Sequence, residues 1–565
     1  MLPFRVFQYL YYKIFRIFRR GDHLLFKIPD RFSSYKKTTL VELLSRKEED
    51  ETLIDFLYSL DKLSKCSELR KISFIIGRVE FGLSELYNIE MGIKQIKKNG
   101  IVTAGFCESG NLKSLYLLSL MDEKYGVENG EFMVLLPSVE SFFFGNMLKN
   151  LGIQIESFAS GSYKSFAEPF QRTAFSEEAR ENISQLIDSI QSQITTTFKG
   201  NSSITNEILQ IPILSAEFLI SCNFLNSLLD EEDFMENYCN KGYKKIDEKS
   251  EPEELYKKAS LKSVYLWNKL QEFSFFPKRK QIIKILSLKG DILTGKKDDP
   301  EIKSGQILAY PLMNMLREIQ KDKRVKGLIL DLDTGGGSAY ASELLHREIL
   351  KLRKTVKIYS YFQNATASGG YYIATASEKM FSNPYCITGS IGSIMIRPDL
   401  KNFYQKIGLT KDRIGFYKFR DIFSEYGKLS PNSKKFLKDE ISRVNDLFCK
   451  RVCDAKNIKI AKLKPLAEGR IFSGLTFHKK QMIDEISSLL ETIQSLKQEL
   501  NFEKVKIEVE QPIYSLRTFV KDFRVNIKGI LSNYLPNYTE NGLVQLKSPF
   551  FETLYRSIHN IETIL

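Results

Sequence analysis

Histidine and tryptophan are scarce in this 565-residue sequence, which has four His and one Trp. His23, His346, His478 and His559 stand far apart, so the material for a histidine-based metal centre or a histidine-centred triad is missing. His346 falls on a helical stretch after a Gly-rich loop, where a solvated or packing role is expected. The seven cysteines build no disulfide framework: Cys66, Cys107, Cys222, Cys239 and Cys386 are scattered, and Cys449 and Cys453 lie one helical turn apart. Free thiols are the expectation, and they favour a reducing compartment. No run of about 18 or more apolar residues occurs, so no conventional membrane-spanning helix is predicted.

What is abundant is positive charge, +14 in all. The basic residues are dispersed, with no zinc-finger spacing, RNP-type aromatic strand or concentrated basic domain, so a nucleic-acid partner is not expected. An anionic membrane surface accounts for the excess at least as well. On a wheel of about 100° per residue, Phe4, Phe7, Leu10, Tyr11, Ile14, Phe15, Ile17 and Phe18 fall on one side of residues 3–20, and Arg5, Lys13, Arg16, Arg19 and Arg20 on the other. That pattern predicts a helix lying in the membrane interface; the other reading is a helix docked on its own domain. Lys13 and Arg16 interrupt any apolar core a secretory signal would need.

With 43% hydrophobic and 27% charged residues the chain is a folding one, and it is too long for a single core. A duplication at an offset of about 254–258 residues organises it. Leu83-Ser-Glu-Leu parallels Ala341-Ser-Glu-Leu, Ile213-Leu-Ser parallels Ile471-Phe-Ser, and Gly161-Ser-Tyr-Lys164 parallels Gly415-Phe-Tyr-Lys418. In each half β-rich runs alternate with helical stretches, which predicts an α/β fold with βαβ crossovers and a largely parallel sheet per copy. The expected division is an amphipathic helix at 1–20, a first copy at 21–256, a helical connector at 257–281, a second copy at 282–502 and an extension at 503–565. Within that extension a strand is expected at Val505–Val509 and an aromatic, basic helix at Ile513–Tyr534, for packing or a second membrane contact.

Two Gly-rich strand-to-helix turns stand out in the second copy. One is Thr334-Gly-Gly-Gly-Ser338; the other is Thr366-Ala-Ser-Gly-Gly-Tyr-Tyr372, which carries Ser368 at the mouth of a helix. Such turns suit a nucleophile on one and anion-stabilising amides on the other. The first copy has Gly110-Asn-Leu-Lys in place of the serine turn, with Leu112 opposite Ser368.

Together with Thr388-Gly-Ser-Ile-Gly392 and Gly161-Ser-Tyr-Lys-Ser-Phe-Ala-Glu-Pro-Phe170, these motifs resemble the signal peptide peptidase A family of Ser–Lys proteases in its long, two-copy form. The resemblance covers roughly residues 21–502 and is strongest over 325–395. It implies two tandem copies of a Clp/crotonase-like spiralled ββα domain with helical additions. The activity it implies is a membrane-associated serine endopeptidase, assembled as a homotetramer, that cleaves apolar peptides such as released signal peptides. It needs no cofactor or metal.

By the resemblance Ser368 is the nucleophile, and Gly369 with Gly336 or Gly337 supplies oxyanion-hole amides. Ser390 positions the lysine amine, or else caps a helix. Lys164 is the expected base, because a serine that meets the lysine of an adjacent copy would meet that one; Lys418 is the alternative, on the single-copy pattern. A non-catalytic peptide-binding scaffold and a crotonase-type acyl-CoA enzyme are the rival functions. The cytoplasmic (inner) membrane is the expected location. Family precedent points to its outer face, while the free cysteines and missing translocation signal point to its inner one.

Overall fold

Runs rich in Ile, Val, Leu, Phe and Tyr, buried on both faces, set the architecture. In the computed structural model, which describes residues 23–32, 52–66, 69–201, 203–238, 281–295, 305–415, 417–502 and 505–510, they form two largely parallel sheets. The first joins β1 (His23–Ile28), β2 (Lys71–Ile76), β3 (Val102–Phe106), β5 (Glu123–Gly126) and β9 (Ser227–Leu228) in that order. A side sheet joins β4 (Gly110–Asn111), β6 (Glu131–Met133) and β8 (Ile213–Ser215), and β7 (Gln154–Ala159) stands apart from both.

The second copy repeats this order. It uses β10 (Gln281–Lys289), β13 (Val325–Thr334), β14 (Lys357–Ala367), β15 (Lys379–Ser382) and β19 (Glu485–Ile486), with β11 (Ile292–Leu293) and β12 (Ile307–Leu308) as a small outlying pair. From the end of β14 the sheet turns onto β16 (Ile387–Gly389) and β18 (Ile471–Ser473), while β17 (Ile394–Asp399) leaves it. These are the tandem α/β copies that the duplication predicts.

Register makes the equivalence residue-specific. Asn111 pairs with Met133 in the first copy and Ala367 with Gly389 in the second, at the same spacing. The next residues, Leu112 and Ser368, therefore occupy the same place in their copies. Ser390 correspondingly matches Val134.

Two boundaries differ from the expectation. Gln281 opens β10 rather than closing a connector, and β20 (Val505–Glu510) lies parallel to β10 as the outer strand of the second sheet. A cut at 502 would remove a strand from that sheet. The expected helices at 1–20 and 513–534, and the rest of the connector, lie outside the described residues.

The copies are fused through their interiors. Ile54 of the first copy packs in one buried cluster with Ile283, Ile329, Tyr359 and Phe381 of the second, and Tyr385 enters the first core. Polar groups interlock beside this contact. The helix Leu83–Lys98 sets Ser84 Oγ against Gln363 Oε1 (2.8 Å) and Asn88 Nδ2 against Tyr361 OH (2.9 Å) on β14. Asn383 Nδ2 donates to Ser84 Oγ and to the carbonyls of Phe362 and Gln363, and Asn383 Oδ1 accepts from Tyr385 N–H. Because Ser368 follows directly on β14, this lock fixes the strand that leads to it. Asn383→Ala would leave several buried groups unpaired, and thermal or urea unfolding is expected to register a loss of about 2–4 kcal/mol.

Candidate active site

Ser368 is held where β14 gives way to the helix Gly369–Ala374, at φ 52° and ψ −118°. A positive φ is costly for a residue with a Cβ and persists only when its surroundings hold it. Here Ser368 N–H donates to Gly389 O (2.9 Å) on β16, and Ser368 O accepts from Tyr372 N–H (2.9 Å) in the helix. The Gly-rich loop after β13 closes over the turn. A Cβ on Gly336 (φ 110°) would lie 2.8 Å from both Gly369 N and Ser368 Cβ, so the two loops approach as closely as only glycine permits.

That loop is oriented by three hydrogen bonds. Thr334 Oγ1 accepts from Gly336 N–H (3.1 Å), Gly336 O accepts from Ile292 N–H (2.9 Å), and Ile292 O accepts from Ser338 N–H (2.8 Å). Since C=O and N–H of a trans peptide point in opposite directions, fixing the Gly336 carbonyl on β11 turns the Gly337 N–H away from β11. Neither that N–H nor the one of Gly369 at the helix start has an acceptor among the described residues. Of the two expected loop glycines, Gly336 already spends its N–H on Thr334, which leaves Gly337 as the open donor.

Lys164 arrives from the other copy. β7 runs antiparallel to β17, from Ile394 opposite Ala159 to Asp399 opposite Gln154. Beyond the strand, Ser160 N–H donates to Ser393 O (2.9 Å) and Tyr163 N–H to Glu468 O (3.0 Å), while the Arg470 guanidinium lies 3.5 Å from the centre of the Tyr163 ring. Two glycines let the backbones meet: a Cβ on Gly161 would fall 2.2 Å from Glu468 Cα, and one on Gly469 2.5 Å from Lys164 N. The amine so placed is 3.1 Å from Ser368 Oγ, 2.8 Å from Ser390 Oγ and 2.9 Å from Ser390 O.

No carboxylate pairs with this amine among the described residues, and burial pushes its pKa from the usual lysine range down to about 8. Ser390, at φ 50°, is itself pinned by donating its N–H to Arg470 O (2.6 Å). It caps no helix; the chain runs on from it toward β17.

The remaining residues singled out in the sequence lie elsewhere. Lys418 is exposed on a turn, its amine 5.5 Å from the centre of the Phe419 ring. His346 is buried against Tyr372 with ring centres 5.4 Å apart; burial lowers its pKa to about 4, so it is a neutral packing group at pH 7. Thr334, Ile292 and Arg470 were not anticipated. Thr334 had a signal, since a Thr two residues before a glycine can form a turn through its hydroxyl. Ile292 and Arg470 act through backbone groups or across long sequence separations and had none.

The sequence model of peptidase family S49 matches residues 138–214, which include Lys164, and residues 351–503, which include Ser368 and Ser390. The chloroplastic serine protease SPPA of Arabidopsis thaliana is 25% identical over 523 residues, covering 91% of this chain and 75% of that protein. Protease 4 of Haemophilus influenzae is 25% identical over 488 residues, covering 85% and 74%. Among solved structures, a membrane-bound stomatin-specific protease in complex with a substrate peptide aligns over 44% of this chain and 100% of its own, with 14% identity and a TM-score of 0.27.

A buried amine without a counter-ion costs stability in a direction that can be measured. The folded amine loses its proton near pH 8, the unfolded one near 10.5, so between these values the unfolded chain holds more protons and stability rises with pH. Lys164→Met removes this titration. Melting temperatures of the two proteins from pH 7 to 10.5 are expected to show the variant more stable at pH 7 and the gap narrowing above pH 8.

Proposed function

For a chain that belongs to peptidase family S49 and is a serine peptidase, we propose that the working groups are a Ser368–Lys164 dyad contributed by the two copies of one chain. The observation that carries the reading is the 3.1 Å contact between Lys164 Nζ and Ser368 Oγ, made by an amine with a pKa near 8. A neutral amine has two N–H bonds and one lone pair. With the N–H bonds directed at Ser390 O and Ser390 Oγ, the lone pair is left for the Ser368 hydroxyl proton.

The steps follow from that arrangement. Lys164 takes the proton as Ser368 Oγ attacks the scissile carbonyl, and the oxyanion is received by the N–H groups of Gly337 and Gly369. The Lys164 ammonium then protonates the leaving amine. The acyl group is released when a water, deprotonated by the same amine, attacks it. In this scheme Ser390 touches only the amine, which it aims, and Thr334 only the oxyanion loop, which it orients.

Apolar, extended peptides such as released signal peptides are the proposed substrates, by the family resemblance. The proposed setting is a membrane surface, reached through the amphipathic pattern of residues 1–20; among the described residues no helix is long and apolar enough to cross a membrane. A homo-oligomer, expected as a tetramer, is the proposed assembly. Membership of a peptidase family sets aside the acyl-CoA reading.

Cleavage of an apolar signal-peptide substrate in detergent tests the assignment. Ser368→Ala and Lys164→Ala are each expected to fall to background, a loss of about 10³-fold or more, while Lys418→Ala stays within about twofold of wild type. An inactive Lys418→Ala with an active Lys164→Ala would transfer the base to the other copy. Because only the neutral amine accepts a proton, kcat/KM is expected to rise about tenfold per pH unit up to about pH 8 and then level off. A profile already flat between pH 6 and 8 would overturn Lys164 as base.

A further inference from the structure

A polar side chain on the buried face of a helix needs a partner, and asparagine is a poor helix former besides. Both statements apply to Asn182. It sits inside the helix Glu177–Asn201 of the first copy, on the face that Ala179, Leu186, Ile190 and Ile194 turn to the interior, and it is 4% exposed. Ser189 follows two turns later, close to the same face. These two polar residues interrupt the apolar stripe where the helix meets β18 of the second copy.

Asn182 stands in for a neighbouring strand. Its Nδ2 donates to Ile471 O and its Oδ1 accepts from Ile471 N–H, both at 2.8 Å. Ile471 lies opposite Gly389 on β16, and in an antiparallel pair alternate residues turn their N–H and C=O to opposite edges. Arg470, one residue earlier, turns its carbonyl the other way and accepts Ser390 N–H at 2.6 Å. Ser390 in turn receives the Lys164 amine on its Oγ and its carbonyl. The amide therefore reaches the base through two hydrogen-bonded steps of backbone.

The same helix also holds the lysine arm. Glu168, in the arm's own motif, accepts from Ser176 N–H (3.0 Å) and Ser176 Oγ–H (2.5 Å), and Ser176 Oγ accepts from Ala179 N–H (3.1 Å) in the first helical turn. One helix thus spans from the arm that brings Lys164 to the strand that supports Ser390. Glu181 adds a contact to Tyr163 OH (3.2 Å) and lies 3.7 Å from Arg470, but that group is exposed and such pairs contribute little. The buried amide is the stronger tie.

We propose that Asn182 is a positioning residue for hydrolysis: by holding β18 at Ile471 it fixes Ser390 where that serine aims the Lys164 amine at Ser368. The assignment rests on the Ser368–Lys164 dyad proposed above and gives Asn182 no contact with substrate. Divergence between the copies agrees with it. The matching helix of the second copy opens at Pro431, which stands 254 residues after Glu177 as Lys418 stands after Lys164. That offset sets Phe436 opposite Asn182, and a phenyl ring can make neither bond. The amide belongs to the copy whose lysine meets the serine.

Steady-state hydrolysis of an apolar signal-peptide substrate by the full chain in detergent, with melting temperatures taken in parallel, tests it. Asn182→Ala is expected to lower kcat about tenfold with KM within about twofold, because a small displacement of the base is costly while substrate binding is untouched. Asn182→Asp keeps the acceptor and loses the donor; an intermediate loss of about threefold is expected, and this variant decides the matter if alanine prevents folding. Ser189 Oγ shares hydrogen bonds with Ser473 Oγ (2.6 Å) and Thr476 Oγ1 (3.0 Å) across the same helix–strand contact. Ser189→Ala is therefore expected to lower the melting temperature and leave kcat within about twofold. In a Ser390→Ala background Asn182→Ala is expected to cost less than it does in wild type, since both act on one amine. Full kcat in the Asn182 variants, a Ser189→Ala loss as large as that of Asn182→Ala, or losses that simply multiply in the double variant would each overturn the assignment. Lys164→Ala measured alongside separates the two readings. If it is inactive, those outcomes remove Asn182 and leave the dyad standing; if it is active, the dyad falls and the assignment with it.

Discussion

The pairing of β7 with β17 is the contact on which the rest of the site depends. A lysine amine in water is protonated at neutral pH and useless as a base. The strand pair does two things for Lys164 at once: it carries the amine across from one copy to the other, and it buries it where no carboxylate among the described residues compensates the charge. Glu156 anchors the pair from β7, meeting Arg397 of β17 at 3.2 Å and Lys434 at 2.6 Å. Arg397 is also bonded to the carbonyls of Ser424 and Gly427, so the lysine arm is braced against a larger part of the second copy than its own strand.

Duplication made that geometry available, and divergence distributed it. The first copy retains the sheet order and the lysine arm, but the turn that would hold a nucleophile starts with buried Leu112, and Asn111 and Ser114 form an ordinary capping box there. The second copy retains the strained serine turn and both glycine loops, while its lysine stands in solvent. Each copy thus keeps one member of the proposed dyad.

The sequence was most informative where local chemistry is demanding. A strand, a run of small residues and a helix around Ser368 announce a turn that few other functions need, and the register of β4 and β14 places Leu112 where the aligned motifs put it. It was least informative where distant segments meet. Lys164 and Lys418 lie in nearly the same tetrapeptide, and only the strand pairing distinguishes an amine against Ser368 from one on an exposed turn. The clasp of Gly161, Gly469 and Arg470 joins residues hundreds of positions apart, so no local pattern records it. The strand at Val505–Val509 was expected, but its place in the second sheet escaped, because six residues of alternating charge and apolarity after a helix read as a tail as easily as a sheet edge.

Placing both members of the pair on one polypeptide has a consequence in time as well as in space. Their 204-residue separation means that the ribosome makes Lys164 long before Ser368, and the segments that seat it, around Ser390 and Arg470, later still. With the proposed dyad, the nascent chain would be inert as a hydrolase through most of its synthesis. On that proposal the site would form by a first-order event once the second copy closes, and the specific activity of each molecule would be indifferent to dilution.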